Sequence, residues 1–163
     1  MDIVALDQLP VYRTNAFFRE QWGSNEMIIS TGTYRCSELE GFACVDHFGG
    51  IIGLVTLFQK GATCEIVSLD SVRENGGIGS RLLLTAENHA YRNGCLKIEL
   101  ITTNDNIKAL DFYQKRGYRM VSIIRDAVAE ARLRKPEIPL IAGNGIAILD
   151  EILLEKQIRE NNA

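Results

Sequence analysis

Between Leu69 and Ser80 the chain reads Leu-Asp-Ser-Val-Arg-Glu-Asn-Gly-Gly-Ile-Gly-Ser, a glycine-rich turn between an apolar run and an amphipathic one. Glycine lets a backbone approach a ligand and take positive φ, and the first-turn amides and dipole of a helix favour an anion. Arg73, Glu74, Asn75, Gly76, Gly77, Ile78, Gly79 and Ser80 are therefore candidates for holding a pyrophosphate. Two familiar cradles do not fit: the P-loop requires Gly-Lys-Ser/Thr, and the dinucleotide fingerprint a third glycine where Leu82 stands. Alone, Gly76-Gly77 is also readable as a plain loop and Gly79 as an aid to helix packing.

Other residue types with chemical capacity are scattered. Glu65 interrupts the apolar run Cys64-Glu65-Ile66-Val67, so its carboxylate either handles a proton or points to solvent from one sheet face. His47 in a hairpin tip and His89 on a helix have no triad partner at readable spacing and read as surface or core histidines. Cys36, Cys44, Cys64 and Cys95 form no CxxC pair and mostly sit in apolar runs, so reduced, packed thiols are expected and no metal site or disulfide. Arg132-Leu133-Arg134-Lys135 reads as a solvated basic face, or as a contact for an anionic group.

The elements that must position these residues follow from periodicity. A helical region is expected from Leu9 to Trp22, closed by Gly23-Ser24-Asn25. Short β-rich runs follow at Met27 to Thr31, Gly41 to Asp46, Ile51 to Phe58 and Thr63 to Leu69, joined by hairpin-like connections at 47–50 and 59–62. Ile78, Leu82, Leu83, Ala86 and Ala90 fall at helical spacing, and Asn93-Gly94 stops that helix. A buried strand from Leu96 to Thr102 then lies parallel to the Thr63–Leu69 strand by a right-handed crossover. A second helix, capped by Asn104 or Asp105, runs to about Arg116 with Gly117 as its stop; Tyr118 to Ile124 resumes as strand. The tail predicts a short helix from Ala127 to Leu133 and a last strand from Ile146 to Leu154. The fold class is α+β, with one mixed sheet, antiparallel first and parallel in the middle, flanked by helices.

Two motifs together resemble one family. Gly77-Ile78-Gly79 matches the glycine half of the Gln/Arg-x-x-Gly-x-Gly/Ala signature of the GNAT superfamily of N-acetyltransferases, which opens a long helix after the fourth strand. Glu74 stands where that signature has Gln or Arg, with Arg73 one residue earlier. Downstream, Asn106-Ile107-Lys108-Ala109-Leu110-Asp111-Phe112-Tyr113 resembles the family's Asn-x-x-Ala-x-x-x-Tyr, followed by Gly117-Tyr118. The resemblance covers roughly Gly50 to Ile124, and 135–139, Lys-Pro-Glu-Ile-Pro, looks like a feature of one bacterial branch of uncharacterised acetyltransferases.

The resemblance implies a GNAT-like fold, with the central parallel strands splayed apart, and acetyl-CoA as cosubstrate without a metal. Backbone groups of Val67 and Leu69 would pair with the pantetheine amides as an added strand does. Asn106 would hydrogen-bond the pantetheine arm or simply cap its helix, with Ala109 beside it. Tyr113 would protonate the departing thiolate, a task suited to a phenol that stays protonated at neutral pH, or else be a core residue. Glu65 would be the base, as in histone acetyltransferases, and Trp22 would line an acceptor pocket or pack in the core.

The sequence has 163 residues, 46% of them hydrophobic, enough for one domain spanning 1–163. A net charge of -3 gives no basic field for nucleic acid or an anionic membrane. No apolar run approaches the ~20 residues of a membrane span, and a cytoplasmic location is expected. The expected partners are a small-molecule or peptide amine and, because dimers are common among similar proteins, a second copy of the chain. An N-acetyltransferase is therefore the primary expectation; a noncatalytic acyl-CoA-binding regulator, or a transferase using a longer acyl-CoA, is the alternative.

Overall fold

A computed structural model describes residues 1–158. The described residues form two compact units: residues 1–27, 34–98 and 157–158 make the first, and residues 28–33 and 99–156 the second.

The first unit opens with β1 (Asp2–Ala5) and α1 (Val11–Trp22). Pro10 precedes α1, where its fixed φ suits a helix start, and Gly23 ends it at φ 71 with its N–H on the Arg19 carbonyl at 2.7 Å. Phe17 and Phe18 are buried from α1. Next come β2 (Glu26–Ile29) and β3 (Gly32–Arg35), a two-stranded sheet of their own whose residues 28–33 belong to the second unit. β4 (Glu40–Val45), β5 (Ile51–Lys60) and β6 (Thr63–Ser71) complete an antiparallel ladder in the order β1-β4-β5-β6. Gly61-Ala62 turns the β5–β6 hairpin, with Gly61 at φ 57 and Lys60 opposite Thr63.

α2 (Ile78–Arg92) follows, burying Ile78, Leu82, Leu83, Ala86 and Ala90, the set that helical spacing selects, and Gly94 at φ 79 ends the connection. β7 (Lys97–Thr103), whose first residues Lys97 and Ile98 belong to this unit, is the neighbour of β6 in strand order and parallel to it. The class is α+β with a mixed sheet, as the sequence implied.

In the second unit the strand order is β7-β9-β8, formed with β8 (Arg119–Ile124) and β9 (Glu151–Gln157), the last two antiparallel. α3 (Ile107–Gln114) and α4 (Ala127–Arg134) complete it. The last strand starts five residues later than expected. The apolar run 146–149 is diverted into a local hairpin, in which Ala142 N–H donates to Ile146 O at 2.9 Å and Ile148 N–H to Leu140 O at 3.0 Å. Asn106, readable as a helix cap or a pantetheine contact, caps α3 in place of Asn104 or Asp105, and Asn104 is committed to residues 147–150, donating to Ala147 O and accepting from the Leu149 and Asp150 amides.

Candidate active site

β6 is the platform of the first unit, and its register is irregular. Ile66 opposes Leu57 and Ser68 opposes Thr56, so Val67 is an extra residue with no opposite number on β5. Such a bulge inverts the alternation beyond it. Glu65, Ser68 and Asp70 consequently share one face, opposite Phe58, Thr56 and Leu54, whereas a regular strand would have aligned Glu65 with Val67 and Leu69. Residues of β5 on the other face meet α2: a Cβ on Gly53 would lie 2.5 Å from Ile78 Cγ2 and 3.0 Å from Leu82 Cδ1.

Each polar residue of the β6 row has a partner. Glu65 is 1% exposed, which excludes a solvent-facing role. The Tyr34 hydroxyl donates to its Oε2 at 3.0 Å and Lys60 Nζ lies 3.3 Å from the same oxygen. Burial disfavours the Lys60 ammonium, but the Tyr34 hydroxyl and the Glu65 carboxylate outweigh it and hold Lys60 above its usual value. Thr56 and Ser68 share a buried hydroxyl–hydroxyl bond of 2.6 Å. Trp22 Nε1–H donates to Asp70 Oδ2 at 2.7 Å. Burial raises the Asp70 carboxyl above its ordinary range, and the Trp22 bond partly lowers it again.

The glycine turn leaves the end of β6. Ser71 Oγ donates to the Arg73 carbonyl at 2.7 Å, Asn75 sits at φ 62 and Gly77 at φ 73. Asparagine tolerates that left-handed region and glycine occupies it without strain. Gly77 is the N-cap of α2, no side chain caps the helix there, and a Cβ on Gly77 would meet nothing within 4 Å. Ile78 is anchored in the core at 2% exposure, and it begins a 15-residue helix whose first amides are those of Ile78, Gly79 and Ser80. Val67, Leu69 and residues 73–80 thus lie along one continuous stretch of the first unit. Arg73 and Glu74 are both exposed.

In the second unit, Asn106, Ala109 and Tyr113 follow one another along α3. Asn106 Oδ1 accepts from Ala109 N–H at 3.2 Å, a cap that does not use the side-chain NH2 group. Tyr113 is 8% exposed, its ring edge-on to Tyr118 at 5.5 Å.

Comparison with known proteins decides the family. The sequence model of the acetyltransferase (GNAT) family matches residues 11–118. The chain belongs to the GNAT acetyltransferase family. It is 49% identical to the uncharacterised protein YdhI of Bacillus subtilis, over 97% of this chain and 99% of that one. A Bacillus subtilis acetyltransferase solved in complex with CoA shares the fold, at TM-score 0.69 and 22% identity over 96% of this chain and 98% of that one. The aminoglycoside 6'-N-acetyltransferase of Enterococcus faecium does so at TM-score 0.68 and 18% identity, covering 100% of both.

Within this GNAT chain the remaining candidates have structural employment. His47 is exposed in the β4–β5 turn, which Asp46 ties by accepting from the Phe48 and Gly50 amides. His89 lies 3.5 Å from Glu40 with its ring edge-on to Phe42. Arg132 is no solvated basic residue; its guanidinium donates to the carbonyls of Ile138, Pro139 and Ile148. All four cysteines are buried and free, and burial pushes the Cys36 thiol up to about 11 and the Cys64 thiol to about 12. Among the described residues no group of His, Cys, Asp and Glu is placed to hold a metal ion, and no helix is long and apolar enough to cross a membrane. The sequence alone gives no role to Asp70, Tyr34, Lys60 or Gly53. Asp70 falls just past the expected end of the Thr63–Leu69 strand, in the glycine-rich segment, and nothing in Ile66-Val67-Ser68 marks the bulge that places it on the face of Glu65.

Proposed function

We propose that the chain transfers an acetyl group from acetyl-CoA to a primary amine of a small molecule or peptide, by direct attack within a ternary complex. The observation that carries this reading is the α2 N-terminus: a glycine N-cap at positive φ, no side-chain cap and open space beside it, a cradle fitted to a pyrophosphate. Solved proteins of the same fold carry CoA or acetylate an amino group.

Acetyl-CoA supplies an activated thioester. The amides of Ile78, Gly79 and Ser80 hold its diphosphate, with Arg73 as a nearby cation, and backbone groups of Val67 and Leu69 pair with the pantetheine arm. The bulge takes Val67 out of register with β5, which suits it to an incoming partner. By the motif it shares with the family, Asn106 serves the pantetheine arm through its side-chain NH2, since its oxygen is the group that caps α3. Tyr113 protonates the leaving sulfur. Glu65 is sealed beneath the site and paired with Tyr34 and Lys60, so it organises this face rather than touching the amine.

A screen of amino acids, polyamines, aminoglycosides and peptides with acetyl-CoA, following thiol release, tests the activity. With any amine that turns over, Tyr113→Phe lowers kcat by about 10–100-fold while acetyl-CoA affinity changes little. An unchanged kcat would remove Tyr113 from the chemistry.

A further inference from the structure

Polar side chains on an apolar strand are costly unless partnered, and the row on β6 treats its members differently. Glu65 and Ser68 are 1% and 4% exposed and satisfied by neighbouring side chains. Asp70 is only half-buried, and its partner Trp22 is 40% exposed, so this end of the row opens to the surface. Trp22 supplies one neutral N–H. Among the described residues no Lys or Arg pairs with Asp70, although an ionised carboxylate accepts several hydrogen bonds and a half-buried one gains most from a cation. The same pair offers an aromatic surface next to a negative charge, a combination suited to an alkylammonium group. Asp70 also stands on the strand that leads into the glycine turn, three residues before Arg73.

We infer that Asp70 receives the ammonium group of the acceptor and that Trp22 is the positioning residue that fixes its carboxylate, so the acceptor is a cationic primary amine. This rests on the acetyltransferase reading for the word acceptor, but the ammonium site is testable without it. Burial holds the carboxyl above its ordinary range, which suits a group that accepts a hydrogen bond from an ammonium and then takes its proton, leaving Asp70 neutral and the amine free to attack.

Trp22 is the only tryptophan of the chain, so its fluorescence reports on this place alone. The test titrates the full chain with n-butylammonium chloride at constant ionic strength, with and without CoA, using n-butanol as the neutral control. The expected result is a saturable change with the ammonium, none with butanol, and an affinity at least ~10-fold lower in Asp70→Asn, the loss of one charge-assisted hydrogen bond. No saturable change, an equal response to butanol, or an equal affinity in Asp70→Asn overturns the site. In Trp22→Phe the carboxyl-carbon NMR titration of Asp70 moves to higher pH, since the donor that lowers it is gone; an unmoved titration overturns the positioning role. If CoA itself fails to raise the melting temperature, the transferase reading falls, while the titration without CoA still decides Asp70.

Discussion

Ile78, the first residue of α2, packs against Gly53 of β5 so closely that a Cβ there would lie 2.5 Å from its Cγ2. The glycine thereby sets how near the start of α2 comes to the sheet. Ile78 is β-branched and buried, so it has little rotamer freedom with which to retreat. Gly53→Val should therefore lower stability by about 1–3 kcal/mol through overpacking. It should also weaken any thermal shift given by acetyl-CoA, because the displaced residue carries the first amide of the proposed cradle. Differential scanning fluorimetry with and without acetyl-CoA reads both effects.

Lys60 gives a pH signature at the other end of the polar row. Its folded pKa lies above its ordinary 10.5, so the stability it contributes is fully present below 10.5 and is lost as pH rises through the folded value. Urea midpoints of the wild type and Lys60→Met should differ by a constant amount from pH 7 to 9, and the gap should shrink above pH 10.5. A gap that widens with alkali would contradict the Lys60–Glu65–Tyr34 arrangement.

For Asp70 the effect of neutralisation is opposite to that of a stabilising ion pair. Burial raises its carboxyl above the ordinary 3.8, so the folded state favours the protonated form, and ionisation at neutral pH costs stability. Asp70→Asn, which still offers an oxygen to Trp22 Nε1–H, should melt higher than the wild type at pH 7. The advantage should vanish as pH falls below 3.8. A stabilised but functionally impaired variant is the usual mark of a residue kept for activity.

What was legible beforehand and what was not divide along physical lines. α2 could be read because Ile78, Leu82, Leu83, Ala86 and Ala90 carry one helical stripe into the core, and the turn before it because glycine has few other uses at that spacing. β1 and β3 were missed because each is four residues long, and β3 buries only Tyr34. β9 was placed early because 146–149 is as apolar as the true strand, and only the hairpin to 140–142 diverts it. The bulge at Val67 left no trace in residue types, yet it decides which side chains share a face with Glu65. Glycine, helix and tyrosine motifs were thus readable, whereas the Trp22–Asp70 pair depended on a one-residue shift of register that only three-dimensional pairing reveals.

The proposed function stands or falls with the N-terminus of α2 holding the diphosphate of acetyl-CoA. Backbone amide NMR shifts measured on adding acetyl-CoA test it most directly. Ile78, Gly79 and Ser80 should show the largest changes, and Gly77→Val, which forces a β-branched residue into a left-handed conformation, should remove them along with most of the binding. Saturable binding that leaves those three amides unmoved, or binding of equal strength in Gly77→Val, would contradict it.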